Sequence, residues 1–206
     1  MCMRAWIYDR LFHNLSSSWY KYVIEHLPRG AKVLDVGVGT GSSLLSQFDL
    51  VKDRGLTWTG IDINSAYLRA CQESIDRIGA GDHIKVREQS IYDLEESELL
   101  DAVYFSASFM LLPDQAQALV TSLGSLKPEG VICFTQTFET KPAPLMEIIK
   151  PLLRKVTTVD FGVVTYQAAF LELLSSCGLT PVHNEVMSTQ GPREMRIIIA
   201  KRTEVV

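Results

Sequence analysis

Apolar residues in this chain of 206 residues follow two spacings that alternate from one segment to the next. Short runs rich in β-branched and aromatic residues predict buried strands, and apolar residues three or four apart predict helices. Strands are predicted at the start of Val33–Gly41 and at Leu56–Ile63, His83–Gln89, Asp101–Ser106, Val131–Phe138, Thr180–Met187 and Met195–Lys201. Helices are predicted at Ser16–Leu27, Ser42–Lys52, Ala66–Ile78, Asp114–Leu126 and Gln167–Cys177. This alternation favours an α/β domain with a doubly wound, mostly parallel sheet.

The last two predicted strands are joined by a short turn at Gln190–Pro192. So short a connection requires the two strands to be antiparallel, because a parallel pair needs a long crossover. The chain is long enough for one α/β domain with a sizeable core and short for two. We therefore expect residues 1–206 to form a single domain whose last strand is reversed.

Composition narrows the choice of partners. The net charge is −4, and no run of Lys or Arg predicts a surface for nucleic acid. The cysteines Cys2, Cys71, Cys133 and Cys177 are scattered, without metal-ligand spacing, which favours reduced thiols, no metal site and a cytoplasmic protein. No segment is apolar for long enough to predict a signal peptide or a membrane span.

The segment Val33–Gly41, VLDVGVGTG, has the most specific pattern in the chain. A strand, a glycine turn and a helix bring backbone close to a nucleotide-like ligand, where a Cβ would clash. The spacing is G-x-G-x-G, whereas a dinucleotide fingerprint has G-x-G-x-x-G. The carboxylate of Asp35, just before the loop, suits a ligand with an ammonium group better than a diphosphate.

A second acid, Asp62, ends the next predicted strand 21 residues after Gly41. Nucleotide-binding α/β folds place an acid there to accept hydrogen bonds from ribose hydroxyls. The alternative is an N-cap for the following helix, but Asn64 or Ser65 can fill that position. We therefore predict that Asp62 binds a ribose.

The segment Asp35–Gly41 resembles the first motif of the class I S-adenosylmethionine-dependent methyltransferases, and the resemblance extends over most of the chain from Ala31 onward. It implies a Rossmann-like methyltransferase fold of seven strands, with S-adenosyl-L-methionine as cofactor and S-adenosyl-L-homocysteine as product. The cofactor-binding residues it implies are Asp35, Gly37, Val38, Gly39, Gly41, Asp62, Ile63, Ser90, Ile91 and Ser106. Two positions depart from the family: Ser90 stands where an Asp commonly contacts adenine, and Glu129 replaces a turn glycine.

The resemblance also implies where the acceptor binds. Residues 1–30 are expected to form a helical lid, with the aromatic side chains of Trp6, Tyr8 and Phe12 near the acceptor. Residues 139–166 are expected to form an insertion on the substrate side. Ser106, Ser108, Phe109 and Met110 are expected to line a small, mostly apolar rim, with burial of Phe109, Met110 and Leu111 in the core as an equal alternative.

No catalytic residue is assigned from the sequence. The candidates for a general base are His13, His83, His183 and Tyr166, and His13 is the only histidine expected near the methyl group. The N-P-P-Y tetrad and the Pro-Cys nucleophile of other methyltransferases are not found.

The sequence predicts methyl transfer to a small, neutral or lipid-like molecule, without nucleic acid as partner. Three alternatives remain at this point. One is a protein or RNA methyltransferase, and another is a catalytically silent activator subunit with the same fold. The third is a nicotinamide dehydrogenase, which the glycine spacing and the reversed last strand disfavour.

Overall fold

The computed structural model describes residues 16–95, 99–141 and 164–203 of the chain. The strands are β1 (Lys32–Val36), β2 (Thr57–Asp62), β3 (Ile84–Glu88), β4 (Leu100–Ser106), β5 (Leu126–Glu139), β6 (Leu179–Gln190) and β7 (Arg193–Arg202). The helices are α1 (16–26), α2 (Ser42–Leu45), α3 (Phe48–Asp53), α4 (Ser65–Ile78), α5 (Gln115–Ser125) and α6 (Gln167–Ser176), with 3₁₀ turns at Ile91–Asp93 and Phe109–Leu111.

The strands of the described residues form one sheet in the order β3-β2-β1-β4-β5-β7-β6. The first five strands pair in parallel, and β7 is antiparallel to both β5 and β6. This confirms the predicted α/β fold with a seven-stranded, mostly parallel sheet and a reversed last strand. The strand order changes direction between β1 and β4, which opens a crevice at the carboxyl ends of these strands.

Helices cover both faces of the sheet. On one face, here called the α1–α4 face, buried side chains of helices α1 to α4 pack on Val33, Trp58 and Tyr104. On the other, the α5–α6 face, α5 and α6 pack on Phe105, Phe134 and Ile198. The predicted core side of α1 is confirmed, since Trp19, Val23, Ile24 and Leu27 are all buried.

The helix ends show why the sequence folds this way locally. The side chain of Asn64 accepts hydrogen bonds from the N–H groups of Ala66 and Tyr67, and Asp114 accepts from Gln117 in the same way. Helix α4 ends at Gly79, whose φ of +68° favours glycine. Asn64 therefore caps α4, which leaves Asp62 available for another role.

One predicted helix is divided in two. The segment Ser42–Lys52 forms α2 and α3, with a break at Ser46 and Gln47. Ser46 Oγ donates to the carbonyl of Ser43, and the amide of Gln47 donates to Ser17 Oγ. Such short-range polar contacts compete with the regular helical backbone bonds.

The predicted turn before the fifth strand is instead part of β5. Leu100 pairs with Leu126 and Ala102 pairs with Val131, so Lys127–Gly130 form a bulge within the strand. The ammonium of Lys127 lies 2.7 Å from the carboxylate of Asp101 on β4 and holds the bulge against the neighbouring strand. Strands β6 and β7 are also longer than predicted, with Gly191 and Pro192 between them.

Parts of two predicted segments lie outside the described residues. These are the first half of the expected lid, including Trp6, Tyr8, Phe12 and His13, and residues 142–163 of the expected insertion. Tyr166 lies within the described part and forms a parallel bridge with Glu139.

Candidate active site

The loop after β1 needs glycine for two physical reasons. Gly37 and Gly41 have φ values of +78° and +66°, which side chains rarely adopt. A Cβ on Gly37 would also lie 2.7 Å from the Cβ of Ser108, and one on Gly41 would overlap the sulfur of Cys71. The loop is therefore pressed between the turn after β4 and helix α4.

Most N–H groups of this loop are already used inside the protein. Those of Gly37 and Val38 donate to the carbonyl of Ile61, and that of Gly41 donates to Val38. The N–H of Gly39 donates to a carboxylate oxygen of Asp62 at 2.9 Å. A diphosphate needs such donors free and a helix of useful length behind them, and α2 has only four residues. The loop is thus suited to a cationic group rather than to a diphosphate.

Asp62 joins the loop to the end of β2. One of its oxygens accepts from Gly39, and the other accepts from the N–H of Asn64 at 2.8 Å. The side chain is only partly buried, and a carboxylate has about four acceptor positions. It can therefore brace the loop and still accept hydrogen bonds from two hydroxyl groups of a ligand.

Asp35 is fully buried on the α1–α4 face. Its Oδ2 accepts hydrogen bonds from the hydroxyl of Tyr20 at 2.8 Å and from the indole N–H of Trp58 at 3.1 Å. Its Oδ1 is buried without a hydrogen-bond partner. Burial raises the pKa of Asp35 to about 7, although the hydrogen bonds from Tyr20 and Trp58 oppose the shift. A positive charge placed at Oδ1 would favour the ionised form.

The polar contacts of Asp35 continue to the ends of β4 and β5. The hydroxyls of Tyr20 and Tyr104 both interact with the side chain of Ser106. The hydroxyl of Tyr104 in turn lies 2.7 Å from Oγ1 of Thr135. Ser106 is therefore engaged with this buried network.

A cleft of about 440 Å³ lies beyond Asp62, at the carboxyl ends of β2 and β3. It is lined by Ile63, Glu88, Gln89, Ser90 and Asp93. The side chain of Ile63 is 77% exposed, an unusual position for a large apolar group. Ser90 caps the following 3₁₀ turn by accepting from the N–H of Tyr92, and Ile91 is buried beneath it. A flat heterocycle could pack on Ile63 in this cleft.

The turn after β4 divides between the two interpretations of its apolar residues, since Phe109 is buried in the core whereas Met110 is half-buried. Phe109 is buried in the α5–α6 face, and Ser108 Oγ donates to the carbonyl of Val36. Leu111, in contrast, is exposed, so the predicted burial of this residue in the core is wrong. The residue Ala107 has a φ of +53°, a strained value for alanine. Phe109 and Ser108 therefore do not form the predicted open rim.

The structure brings several predicted residues together. Gly39 contacts Asp62, and Gly37 packs on Ser108, so the first, second and fourth strands meet at one crevice. Val38 is turned away from this crevice and packs against Gly60 on β2.

The described histidines lie elsewhere. His83 bonds to the carbonyl of Leu56 at the amino end of β3. His26 and His183 both contact Tyr22, and His183 also pairs with Glu185.

Sequence reasoning missed Tyr20 and Trp58 as partners of Asp35. Tyr20 lies on the same side of α1 as Val23 and Ile24, so its position in the sequence predicts only a core residue. Trp58 likewise fits the apolar alternation of a buried strand. A buried carboxylate needs donors, and that requirement is the only signal that could have identified them.

The fold and the crevice define a Rossmann-like protein with acids at the ends of its first two strands and a loop suited to a cationic nucleoside. Comparison with known proteins agrees. Residues 33–130 match the family model described as a methyltransferase domain. These similarities support a class I S-adenosylmethionine-dependent methyltransferase with S-adenosylmethionine as its cofactor.

The chain is similar to a phosphatidylethanolamine N-methyltransferase from Cereibacter sphaeroides, with 26% identity over 85% of this chain and 87% of that protein. It is also similar to a ubiquinone biosynthesis O-methyltransferase from Actinobacillus pleuropneumoniae serotype 5b (strain L20), with 29% identity over 58% of this chain and 51% of that protein. A structure of a geranyl diphosphate methyltransferase in complex with SAM has a TM-score of 0.75, with 15% identity over 93% of this chain and 87% of that one. Within residues 16–95, 99–141 and 164–203, every helix is too short or too polar to span a lipid bilayer.

Proposed function

We propose that this methyltransferase acts on a small, uncharged or lipid-like molecule. Methyl transfer is supported by the crevice in which Asp62, hydrogen-bonded to Gly39, lies between the buried acid Asp35 and the cleft under Ile63. Relatives whose names specify phosphatidylethanolamine and ubiquinone biosynthesis favour a lipid-like acceptor here too.

The residues present fit the cofactor. Asp35 Oδ1 is an orphaned buried acceptor, and the ammonium of the methionine part would supply its missing partner. Asp62 would accept from the ribose hydroxyls, and Ile63 and Ser90, with Ile91 behind them, would contact adenine. The loop backbone from Gly37 to Gly41, with no Cβ at its glycines, would allow close approach of the methionine part, and Ser106 would hold the base of the crevice.

When bound, S-adenosylmethionine supplies an electrophilic methyl group, so much of the chemistry belongs to the cofactor. The protein must then orient the acceptor and exclude water, and alignment alone can supply about 7–11 kcal/mol. His83, His26 and His183 are held away from the crevice by other contacts. We therefore assign this chain a positioning role and no general base among its described histidines.

We also propose that residues 1–30 cover the acceptor and that residues 139–166 contribute its wall. This proposal is supported by α1, whose Tyr20 reaches Asp35 from above the first strand. Deletion of residues 1–14 should reduce turnover far more than affinity for S-adenosylhomocysteine, because α1 and the crevice remain. Full turnover by the truncated protein would contradict the lid.

The test of the function has two parts. Titration calorimetry should give saturable binding of S-adenosylhomocysteine and none of NADH. Incubation with methyl-labelled S-adenosylmethionine and a cell extract should then place the label in the fraction extracted by organic solvent. Label found mainly in protein or RNA would contradict the small acceptor, and saturable NADH binding would contradict the cofactor site.

A further inference from the structure

The α5–α6 face contains a buried amide without partners. Gln136 on β5 is 1% exposed, and neither its Nε2 nor its Oε1 forms a hydrogen bond. Side chains alternate along a strand, and Phe134 and Phe138 belong to the α5–α6 core. Gln136 therefore lies on the face of these two rings, while Thr135 lies on the opposite face and bonds to Tyr104.

A second unpartnered polar group lies on the same face. The hydroxyl of Thr165 is buried and forms no hydrogen bond. Its neighbour Tyr166 forms a parallel bridge with Glu139, and the carbonyl of Thr165 accepts from the N–H of Glu139. This register aligns Thr165 with Phe138, so the hydroxyl and the amide of Gln136 share one face of the sheet.

The two groups flank a notch in the sheet. The N–H of Ala107 donates to the carbonyl of Thr135 on β5. After this hydrogen bond, the segment that follows β4 turns away from β5. Among the described residues, the next backbone beside β5 is that of Thr165 and Tyr166, at Glu139. Gln136 lies between these points, next to the strained Ala107 and at the carboxyl ends of β4 and β5, where the crevice opens.

Buried amides and hydroxyls are costly without partners, and they are rare in folded proteins. The missing partner must both accept from Nε2 and donate to Oε1. A hydroxyl group does both, whereas an ammonium group can only donate. An ammonium here would also lie on the same face as the guanidinium of Arg196, which is the cross-strand partner of Gln136 on β7 and already pairs with Glu194.

We propose that Gln136 and Thr165 form the subsite for the polar group of the acceptor, and that this group is an uncharged hydroxyl on an aromatic or aliphatic body. The rings of Phe109, Phe138 and Phe170, which pack together in the core, would lie beneath this subsite and keep its surroundings apolar. This rests on the proposed function, because it assigns the acceptor site of the same enzyme.

The test uses the full chain saturated with S-adenosylhomocysteine and two probes, 4-hexylphenol and 4-hexylbenzylamine, which is protonated at pH 7.5. The variants are Gln136→Met, which keeps the volume, Thr165→Val, and the control Thr137→Val on the opposite face of β5. The phenol should bind the native protein at least tenfold more tightly than the amine. Gln136→Met and Thr165→Val should each lower the affinity for the phenol about tenfold, which corresponds to about 1.4 kcal/mol. The control Thr137→Val should leave this affinity unchanged.

Thermal unfolding without ligand supplies a second readout. Gln136→Met should raise the melting temperature, because it removes an unpaired buried amide. A lower melting temperature, with unchanged phenol binding, would mean that the amide only holds an internal water and would overturn the proposal. If the amine binds more tightly than the phenol, or the phenol does not bind, the proposed Gln136–Thr165 subsite is wrong. Neither result would affect the proposed cofactor site. Failure of S-adenosylhomocysteine to bind would contradict the proposed function itself.

Discussion

The fully buried aromatic side chains in the core of the α1–α4 face carry hydrogen-bond donors, whereas those in the core of the α5–α6 face are phenylalanines. Tyr20, Trp58 and Tyr104 pack edge to face or tilted on one side, with centroid distances of 5.1 to 6.2 Å. Phe109, Phe134 and Phe170 pack in similar geometry on the other side, at 5.0 to 5.7 Å.

The difference lies in what each cluster can bury. The first accommodates the carboxylate of Asp35 by donating two hydrogen bonds to it. The second has no donor to offer Gln136, because phenyl rings carry none. A similar packing arrangement thus supplies hydrogen bonds to one oxygen of a carboxyl group on one face and leaves an amide without partners on the other.

The largest effect is expected from Asp62→Ala, at the open end of the α1–α4 side. It removes the acceptor for the ribose and the brace on Gly39, so affinity for S-adenosylhomocysteine should fall at least about a hundredfold, from two charge-assisted bonds. Calorimetry measures this, with the exposed Asp82→Ala as control. Unchanged affinity would remove Asp62 from the site.

The second effect is a pH dependence of the affinity for S-adenosylhomocysteine, which arises from Asp35 on the α1–α4 face. Because the pKa of Asp35 is about 7, the carboxyl is mostly protonated at pH 5.5 in the free protein. If the ionised form binds the ammonium, affinity for S-adenosylhomocysteine should rise about thirtyfold between pH 5.5 and pH 8. Asp35→Asn should give a flat profile, measured by calorimetry at each pH. A similar rise in that variant would contradict the role of Asp35.

Stability of the free protein should change with pH in the opposite direction. The folded state holds a proton on Asp35 that the unfolded chain releases near its ordinary pKa of 3.8. The free energy of unfolding should therefore fall as pH rises from about 4 to about 7, and level off above that range. Denaturant titrations of the native protein and of Asp35→Asn compare this contribution, which the variant should lack.

A smaller effect is expected from Tyr20→Phe. Loss of the hydroxyl removes a bond that lowers the pKa of Asp35, so the midpoint of the binding profile should move to higher pH. Affinity at pH 7 should fall by roughly fivefold to tenfold. Tyr22→Phe is the matched control on the same helix, since its hydroxyl contacts His183 and Glu185 at the surface. Equal effects of both variants would mean that α1 packing, and not Asp35, is responsible.

The smallest effect is expected on the phenylalanine side. Phe170→Leu should lower the free energy of unfolding by about 1 kcal/mol, because the ring packs against Phe109, Phe134 and Phe138. The loss should not vary between pH 5 and pH 8, because phenylalanine does not titrate. Denaturant titration at both pH values checks this. A loss of stability that changes with pH would mean that packing on the α5–α6 face is coupled to titration of Asp35 on the other face.

The sequence predicted the parts of the fold that depend on local patterns. Gly37 and Gly41 indicated the loop, and the short Gln190–Pro192 turn indicated the reversed last strand. The cap of α4 was narrowed to Asn64 or Ser65, and the structure shows that it is Asn64. These signals lie within a few residues of the feature that they predict. The break at Ser46 and the bulge at Lys127 escaped prediction because they depend on contacts with Ser17 and Asp101.

The site was less predictable for the same reason. Tyr20 is 15 residues from Asp35 in sequence, and only the packing of α1 on β1 brings them together. Gln136 stands in a run of strand residues, VICFTQTF, where nothing distinguishes a paired amide from an unpaired one. The family resemblance pointed to the crevice, but not to the groups on which it depends.

The position of β7 has a consequence for synthesis on the ribosome. This strand enters the sheet between β5 and β6 and supplies Ile197, Ile198 and Ile199 to both cores. While a ribosome adds roughly 5–20 residues per second, the edge of β5 stays open from the time Glu139 emerges until Arg202 has followed. During those seconds the nascent chain exposes an apolar strand edge, which favours aggregation and the binding of a chaperone.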